Sequence, residues 1–278
     1  MGRLTQRRRV LTLRADGTRS KGDLLAVEEP LELRLAGESF TVTMRTPGHD
    51  FELVAGFLVA EGIISAQEHL RSLRYCAGTD EQGNQTYNVI DAELDPALPP
   101  TSLLRTRNVL TTSACGICGT TSIDAVEKTL PAHPTDTLRM HPQTLLQLPE
   151  RMRESQALFS KTGGVHAAGL FDAAGELLCL REDVGRHNAV DKVVGWALTQ
   201  GRLPLAGTVL QVSGRASFEL VQKAALAGIE MLSAVGAPSS LAVDLAERSG
   251  LSLAGFSRGR SINLYTHFQR IKREDEDS

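Results

Sequence analysis

The sequence predicts an α/β fold in two parts, a smaller N-terminal α+β domain and a larger C-terminal domain around a mixed sheet. In the first half, short runs of alternating polar and apolar residues surround one helix-like segment, whereas strand-like and helix-like segments alternate in the second half. With 278 residues, 41% of them hydrophobic, the chain can form one large core or two modest ones. The expected boundaries are a flexible basic tail over 1–22, the N-terminal domain over 23–134, the C-terminal domain over 135–270 and an acidic tail over 271–278.

The elements of the N-terminal domain follow from this alternation. Residues 29–35 and 39–45 alternate around a short turn and predict a β-hairpin. Asp50 is the expected N-cap of the helix that follows. Two further strands are expected on either side of residues 80–84.

The C-terminal domain is expected to begin with a linker and then to alternate between strands and helices, which is typical of helices covering a sheet. In order, we predict a linker over 135–142, a connecting helix over 142–161, a hairpin of 164–171 with 176–180, a helix over 188–200, a strand over 208–213, a helix over 218–229, a strand over 231–235, a helix over 240–248 and closing strands over 251–256 and 261–265.

The most informative motif is Cys115-Gly116-Ile117-Cys118, which holds two of the four cysteines in a predicted turn between a strand and a helix. A helix N-terminus favours thiolate over thiol and lowers a cysteine pKa below its ordinary value of about 8.5. A structural zinc site would need further ligands at short spacing, and Cys76 and Cys179 stand alone. Two small buried thiols are the plain alternative.

The compartment expected from the sequence also disfavours a structural disulfide. The first residues lack the apolar segment of a secretion signal, which favours a reducing cytoplasm where stable disulfides are rare. A reactive thiol pair therefore remains, either a dithiol redox centre or a persulfide carrier. The formal net charge of −3 and the absence of an apolar run of about 20 residues argue against bulk nucleic-acid binding and membrane insertion.

Two loops are candidate anion sites because each joins a strand end to glycine and arginine. They are Ser213-Gly214-Arg215 and Phe256–Ser261. Ordinary exposed turns with surface arginines are the alternative, and neither loop matches a nucleotide-binding fingerprint. His166 and the polar stretch Glu182–Asn188, which contains His187, are further candidates. Helix capping and structural hydrogen bonding are the favoured explanation for them.

Several stretches in order resemble the FdhD/NarQ family of formate dehydrogenase accessory sulfurtransferases. The matching stretches are Glu29-Pro30, Gly56-Phe57-Leu58, Glu61-Gly62-Ile63-Ile64, Cys115-Gly116-Ile117-Cys118-Gly119, Thr162-Gly163-Gly164-Val165-His166, Glu182 through Lys192, Ser213-Gly214-Arg215 and Gly255 through Thr266. The resemblance implies a cytoplasmic sulfur carrier that takes sulfur from a cysteine desulfurase and passes it to a molybdenum bis(molybdopterin guanine dinucleotide) cofactor, which activates formate dehydrogenase. It also implies a cytidine-deaminase-like larger domain. Deaminase chemistry and a resident metal are not expected, because the chain lacks H-x-E and has Ala114 before Cys115.

The resemblance also assigns roles to individual residues. It implies that Cys115 carries the persulfide and that Cys118 is the second thiol of the transfer. It maps the guanine-dinucleotide site onto Phe256, Ser257, Arg258, Gly259, Arg260 and Ser261. The rival functions are a dithiol oxidoreductase and a guanine-nucleotide cofactor chaperone that needs no thiols. The sequence leaves open whether the chain forms a homodimer.

Overall fold

The computed structural model describes residues 4–76, 78, 86–98 and 136–272. The predicted thiol pair Cys115 and Cys118 lies outside the described residues, as does the boundary expected near residue 134. The sites of the C-terminal domain are described throughout.

The described chain forms three sheets and six helices, and this confirms the predicted α/β class. The strands are β1 (Thr5–Arg14), β2 (Gly17–Ala26), β3 (Glu29–Leu35), β4 (Glu38–Arg45), β5 (Leu70–Tyr75), β6 (Val89–Leu94), β7 (His166–Phe171), β8 (Leu177–Asp183), β9 (Val209–Val212), β10 (Met231–Ala234), β11 (Ser252–Gly255) and β12 (Asn263–Leu264). The helices are α1 (Asp50–Ala60), α2 (Pro142–Ser155), α3 (Ala157–Thr162), α4 (Arg186–Thr199), α5 (Phe218–Leu226) and α6 (Ser240–Ser249). Short 3-10 turns lie at Gln67–His69 and Phe268–Arg270.

The N-terminal segment is not the expected flexible tail. β1 and β2 pair antiparallel over their full length and form a two-stranded ribbon, Thr5–Ala26, most of which is exposed. Its run of arginines hides the alternating pattern, because charged residues occupy the positions where a strand usually shows apolar ones. At the base of the ribbon, the Val27 amide donates to the Leu4 carbonyl at 3.0 Å.

The four-stranded N-terminal sheet has the order β4-β3-β6-β5, and α1 covers one face. Leu31 and Leu33 of β3 pack against this helix with Leu53 and Leu58 in one buried cluster. The sequence predicts that Asp50 is the N-cap of α1, but His49 occupies the N-cap position and Asp50 is the first residue of the helix. The buried Asp50 carboxylate instead accepts two hydrogen bonds from the Arg45 guanidinium, at 3.2 and 3.1 Å.

The C-terminal sheet has six strands in the order β12-β11-β10-β9-β7-β8, and its central strands β9, β10 and β11 are parallel. Alternate residues point to opposite faces, so each face has its own core. Leu210 and Leu232 belong to the cluster shared with α4, α5 and α6, whereas Val209 and Met231 belong to the cluster shared with α2. The helices therefore cover both faces of the mixed sheet.

The expected linker before α2 is part of the core. Leu138 and Met140 are fully buried, and Met140 forms a parallel bridge with Ile271. The Glu230 carboxylate accepts hydrogen bonds from the amides of Thr137 and Leu138. Because Ile271 also belongs to the fold, the expected acidic tail starts later than residue 271, and residues 273–278 lie outside the described chain.

The two parts of the chain meet where α1 crosses α4 at a pair of glycines. A Cβ added to Gly56 would overlap the Asp191 carbonyl, and a Cβ on Gly195 would overlap the Glu52 carbonyl. Glycine is therefore required on both helices for this backbone separation. The close crossing fixes the N-terminal sheet relative to the C-terminal one.

Candidate functional site

Three loops meet at the carboxyl ends of the parallel strands β9, β10 and β11. The Gly236 amide donates to the Gly214 carbonyl at 2.9 Å, and the Phe256 amide donates to the Gly236 carbonyl at 3.1 Å. A Cβ on Gly236 would lie 3.1 Å from Arg215 Cα, so glycine allows the first two loops to approach closely. Open α/β sheets place ligands at such strand ends.

A cleft of about 600 Å³ opens between these strand ends and the helices α2 and α3. Its lining residues are Pro149, Met152, Arg153, Gln156, Phe159, Gly163, Gly164, Val165, His166, Val184, Ser213, Val235, Ser257 and Arg258. The helices contribute mainly apolar side chains, and the strand ends contribute hydroxyl, imidazole and guanidinium groups. This volume and mixture are typical of a small-molecule site.

Arg153 and Arg258 line the cleft, and Arg215 and Arg260 each lie two residues from a lining residue. Arg215, Arg258 and Arg260 are exposed, and none of them forms an ion pair with a residue that the structure describes. The Arg258 guanidinium lies 5.5 Å from the centre of the Phe256 ring, and that of Arg153 lies 4.5 Å from the Phe159 ring. Arginines that have no carboxylate partner and rest on aromatic rings suit an anionic, planar ligand.

The Phe256-Ser257 step has two unusual features. Phe256 adopts a left-handed backbone with φ of 53°, which is uncommon for a bulky residue and marks local strain. Ser257 is fully buried, and its hydroxyl has no hydrogen-bond partner among the described residues. A buried hydroxyl without a partner costs about 1–3 kcal/mol. Strain and an unused polar group thus coincide on the loop that the family resemblance assigns to the cofactor.

His166 also lines the cleft, next to Ser213. Burial lowers the pKa of its imidazole, and the nearby Arg186 lowers it further. Nδ1 of His166 lies 3.5 Å from the Ser213 hydroxyl, which accepts a hydrogen bond from the Ala167 amide at 2.9 Å. A neutral imidazole can offer a ligand both a donor and an acceptor.

The stretch Glu182–Lys192 is mainly structural, because it forms a buried hydrogen-bond network, the clasp, between the two parts of the chain. The buried Lys192 ammonium donates to the Asp183 carboxylate at 2.7 Å and to the Thr46 carbonyl at 2.9 Å. The same carboxylate accepts from the Thr46 amide at 3.1 Å. The Asn188 side-chain amide donates to the Met44 carbonyl at 2.7 Å. These bonds hold the end of β4 against the C-terminal sheet, so the structural interpretation of this stretch is the better supported one.

His187 points to a neighbouring helix and does not line the cleft. Its Nε2 lies 2.8 Å from the Glu219 carboxylate and 3.4 Å from the Ser217 hydroxyl. The hydrogen bond from His187 lowers the pKa of the Glu219 carboxyl. His187 therefore links α4 to α5.

Of the two described cysteines, Cys179 is a poor nucleophile candidate. Cys179 is buried in the core, and burial raises the pKa of its thiol to about 12, which keeps it protonated at neutral pH. Cys76 is half-buried after β5. Within the described ranges, no three His, Cys, Asp or Glu side chains converge as a metal site, and no helix has the length and apolarity to cross a membrane.

The structure therefore brings together residues of three motifs that the sequence singled out separately: Gly163–His166, Ser213, and Ser257 with Arg258. The other predicted cofactor residues, Phe256, Gly259, Arg260 and Ser261, lie on the same loop but do not line the cleft. Arg153 and Phe159 were missed, because they lie on two helices whose sequences show no ligand-binding pattern. The Val235-Gly236 turn was also missed, although it repeats the arrangement of a glycine after a parallel strand that identified Gly214.

A sequence profile described as the FdhD/NarQ family matches residues 26–272. The chain belongs to the FdhD/NarQ family. Its relatives include "Sulfur carrier protein FdhD" of Nocardia farcinica, 56% identical, with 98% of this chain and 96% of the relative covered. A protein of the same name from Saccharolobus solfataricus is 41% identical, with 90% of this chain and 91% of the relative covered.

A solved structure shares the fold. It is a crystal structure from Desulfotalea psychrophila, described as that of a candidate formate dehydrogenase accessory protein. The two structures align with a TM-score of 0.75 at 26% identity, covering 97% of this chain and all of the other. The two chains therefore share their overall fold.

Proposed function

We propose that this protein is a sulfur carrier. In this proposal, Cys115 accepts persulfide sulfur from a cysteine desulfurase, and the sulfur passes to a molybdenum bis(molybdopterin guanine dinucleotide) substrate that then activates formate dehydrogenase. The relatives named as sulfur carriers, at 56% and 41% identity, support the sulfur-carrier role. The observation that supports binding of the molybdenum substrate is the cleft, which residues from three motifs of the family resemblance line.

The thiol chemistry balances in two steps. The Cys115 thiolate attacks the outer sulfur of the desulfurase persulfide, forms Cys115–S–SH and releases the desulfurase thiolate. The Cys118 thiolate then attacks the Cys115 sulfur, which expels the outer sulfur as hydrosulfide for the molybdenum substrate and leaves a Cys115–Cys118 disulfide. A cellular dithiol must reduce that disulfide before the next cycle.

The cleft suits the guanine-nucleotide end of such a substrate. Its volume of about 600 Å³ lies within the usual range for nucleotide-sized ligands. Arg258 and Arg260 offer charges for a diphosphate, and the exposed glycine between them lets backbone amides approach it. Phe159, His166 and the Ser257 hydroxyl offer a stacking face and hydrogen bonds to a base. This set of polar groups supports the proposal of a guanine-dinucleotide substrate.

The thiol proposal is tested by intact mass. The protein is incubated with a cysteine desulfurase and cysteine, beside the Cys115→Ala, Cys118→Ala and Cys179→Ala variants. We expect a one-sulfur adduct on the wild type, on Cys179→Ala and on Cys118→Ala, and no adduct on Cys115→Ala. No adduct on either the wild type or Cys118→Ala, or an adduct that survives loss of both Cys115 and Cys118, would contradict the carrier mechanism.

The cleft proposal is tested by calorimetric titration with GDP. Arg258→Ala together with Arg260→Ala should weaken binding at least tenfold, because each charge-assisted hydrogen bond contributes about 1.5–3 kcal/mol. Arg71→Ala, an exposed arginine on β5, is the matched control and should bind as the wild type does. Unchanged GDP affinity in the double variant would remove the loop from the site.

The same measurements separate the rival functions. A dithiol oxidoreductase would reduce disulfides catalytically without accumulating a sulfur adduct. A cofactor chaperone would bind GDP normally and retain full activity after loss of both thiols.

A further inference from the structure

The junction between α2 and α3 places a glutamine in the wall of the cleft. Since α2 ends at Ser155 and α3 begins at Ala157, Gln156 is the single residue between the two helices. It is only 4% exposed, and it lines the cleft. Glutamine is seldom buried, because its carboxamide carries donors and an acceptor that need partners.

The Gln156 carboxamide has no hydrogen-bond partner in the described part of the chain. The main-chain amide of Gln156 donates to the Arg153 carbonyl at 3.3 Å, and its main-chain carbonyl accepts from the Ser160 amide and hydroxyl. The side chain forms no capping hydrogen bond to α3. Because buried polar groups of native proteins normally have partners, a buried carboxamide without one in the wall of a cleft indicates a ligand.

Glu182 explains why this carboxamide is left for a ligand. The side chain at an N-cap usually accepts a hydrogen bond from the amides of the first helical turn. At α3 the Glu182 carboxylate takes this role, because it accepts from the amides of Leu158 and Phe159 at 2.8 Å each. The junction is thus fixed from β8, and the Gln156 side chain does not cap the helix.

Apolar groups lie beside the carboxamide. Phe159, three residues further along the chain, also lines the cleft, as do the buried side chains of Met152 and Val165. None of the described residues that line the cleft is acidic. An aromatic ring together with a carboxamide suits a planar heterocycle that presents a donor and an acceptor at one edge.

We propose that Gln156 selects guanine over adenine by reading the edge of the base that carries O6 and N1–H. The carboxamide N–H donates to O6, and the carboxamide oxygen accepts from N1–H. Adenine presents its donor and acceptor in the reverse order, so a buried carboxamide that does not turn over rejects it. This inference rests on the proposed function, since it takes the guanine nucleotide of the substrate as the ligand of the cleft.

Recognition of the base and recognition of the diphosphate then belong to different parts of the cleft. Arg258 follows β11, whereas Gln156 and Phe159 belong to the junction of α2 and α3. All nucleoside diphosphates share the diphosphate and differ in the base. A change at Gln156 should therefore alter the preference between bases, and a change at Arg258 should weaken all of these nucleotides alike.

Calorimetric titration of the full chain with GDP, inosine diphosphate and ADP tests the proposal. Inosine diphosphate keeps O6 and N1–H and lacks only the 2-amino group of guanine. For the wild type, we expect GDP and inosine diphosphate to bind within about threefold of each other and ADP to bind at least about tenfold more weakly. Gln156→Met keeps the side-chain length without its polar groups, so GDP and inosine diphosphate should weaken about tenfold or more and ADP should not change.

A second variant gives a gain that misfolding does not imitate. A carboxylate only accepts hydrogen bonds, so Gln156→Glu pairs with N1–H and the 2-amino group and should prefer GDP over inosine diphosphate by about tenfold. Gln143→Met is the matched control, because Gln143 is an exposed residue of α2 that does not line the cleft. This control should keep the wild-type preference.

The possible outcomes separate this inference from the proposed function. If the wild type binds GDP and ADP equally, or if Gln156→Met keeps the preference for GDP, Gln156 does not read the base, and the cleft remains a nucleotide site. Equal weakening of all three nucleotides in Gln156→Met would show a structural role and would also overturn the inference. A wild type that binds none of the three would overturn the nucleotide site of the proposed function and this inference together.

Discussion

Replacing Lys192 with methionine should destabilise the fold strongly, because it breaks the clasp between the two parts of the chain. Lys192 is 1% exposed, and its partner Asp183 is fully buried. Removing one member of a buried ion pair typically costs about 3–5 kcal/mol, since the other charge remains without compensation. Asp183 would keep hydrogen bonds from the amides of Thr46 and Gly185 and from Asn188. These retained bonds favour the lower end of that range.

The assay is urea unfolding monitored by circular dichroism, with calorimetry as a second measurement. For a chain of this size, a loss of about 3 kcal/mol lowers the melting temperature by roughly 6 °C or more. Lys161→Met is the matched control: Lys161 is exposed, so its replacement should change the free energy of unfolding by less than about 0.5 kcal/mol. If Lys192→Met costs less than about 1 kcal/mol, the clasp does not hold the two parts together as described.

Three further predictions follow from the helix crossing, the buried thiol and the cleft histidine. Gly56→Ala forces its Cβ into the Asp191 carbonyl and should cost more than about 2 kcal/mol in urea unfolding; a wild-type midpoint would show that the helices can separate freely. Cys179, with its pKa raised to about 12, should resist iodoacetamide at pH 8 in the native protein, and rapid labelling in peptide mass spectra would contradict its burial. Burial and Arg186 lower the pKa of His166, so its neutral form stabilises the fold above the ordinary histidine pKa of about 6.5, and this contribution declines as the pH falls below that value. His166→Gln should flatten the fall of the melting temperature between about pH 6.5 and 5, and an unchanged slope would refute the assignment.

The second half of the fold could be predicted because its periodicity is regular. The predicted strand over 231–235 and helix over 240–248 are observed within one residue, since each is a short apolar run or a clear amphipathic pattern. The ribbon was not predicted, because its stability does not come from apolar alternation within its own sequence. The linker was misjudged for a related reason: Met140 pairs with Ile271, and the Leu138 amide donates to the Glu230 carboxylate, both far away in sequence.

The site was predicted in pieces, and only the fold shows which of them meet. Ser213 and Arg258 each follow a strand, and the parallel pairing of those strands through β10 brings them to one edge of the sheet. The neutral state of His166 and the unpaired hydroxyl of Ser257 depend on three-dimensional burial, which no local pattern encodes. Conversely, the dense polarity of Glu182–Asn188 resembled a site and is mostly a structural network.

The central claim is that sulfur moves from Cys115 to a molybdenum substrate whose nucleotide is held in the cleft. The most direct test loads the protein with radioactive sulfur from a cysteine desulfurase, removes the desulfurase and adds formate dehydrogenase that lacks cofactor sulfur. We predict that label and formate-oxidising activity appear together in the formate dehydrogenase, and that Cys115→Ala and the Arg258→Ala, Arg260→Ala double variant both abolish the transfer. Full activation without transfer of label would contradict the account.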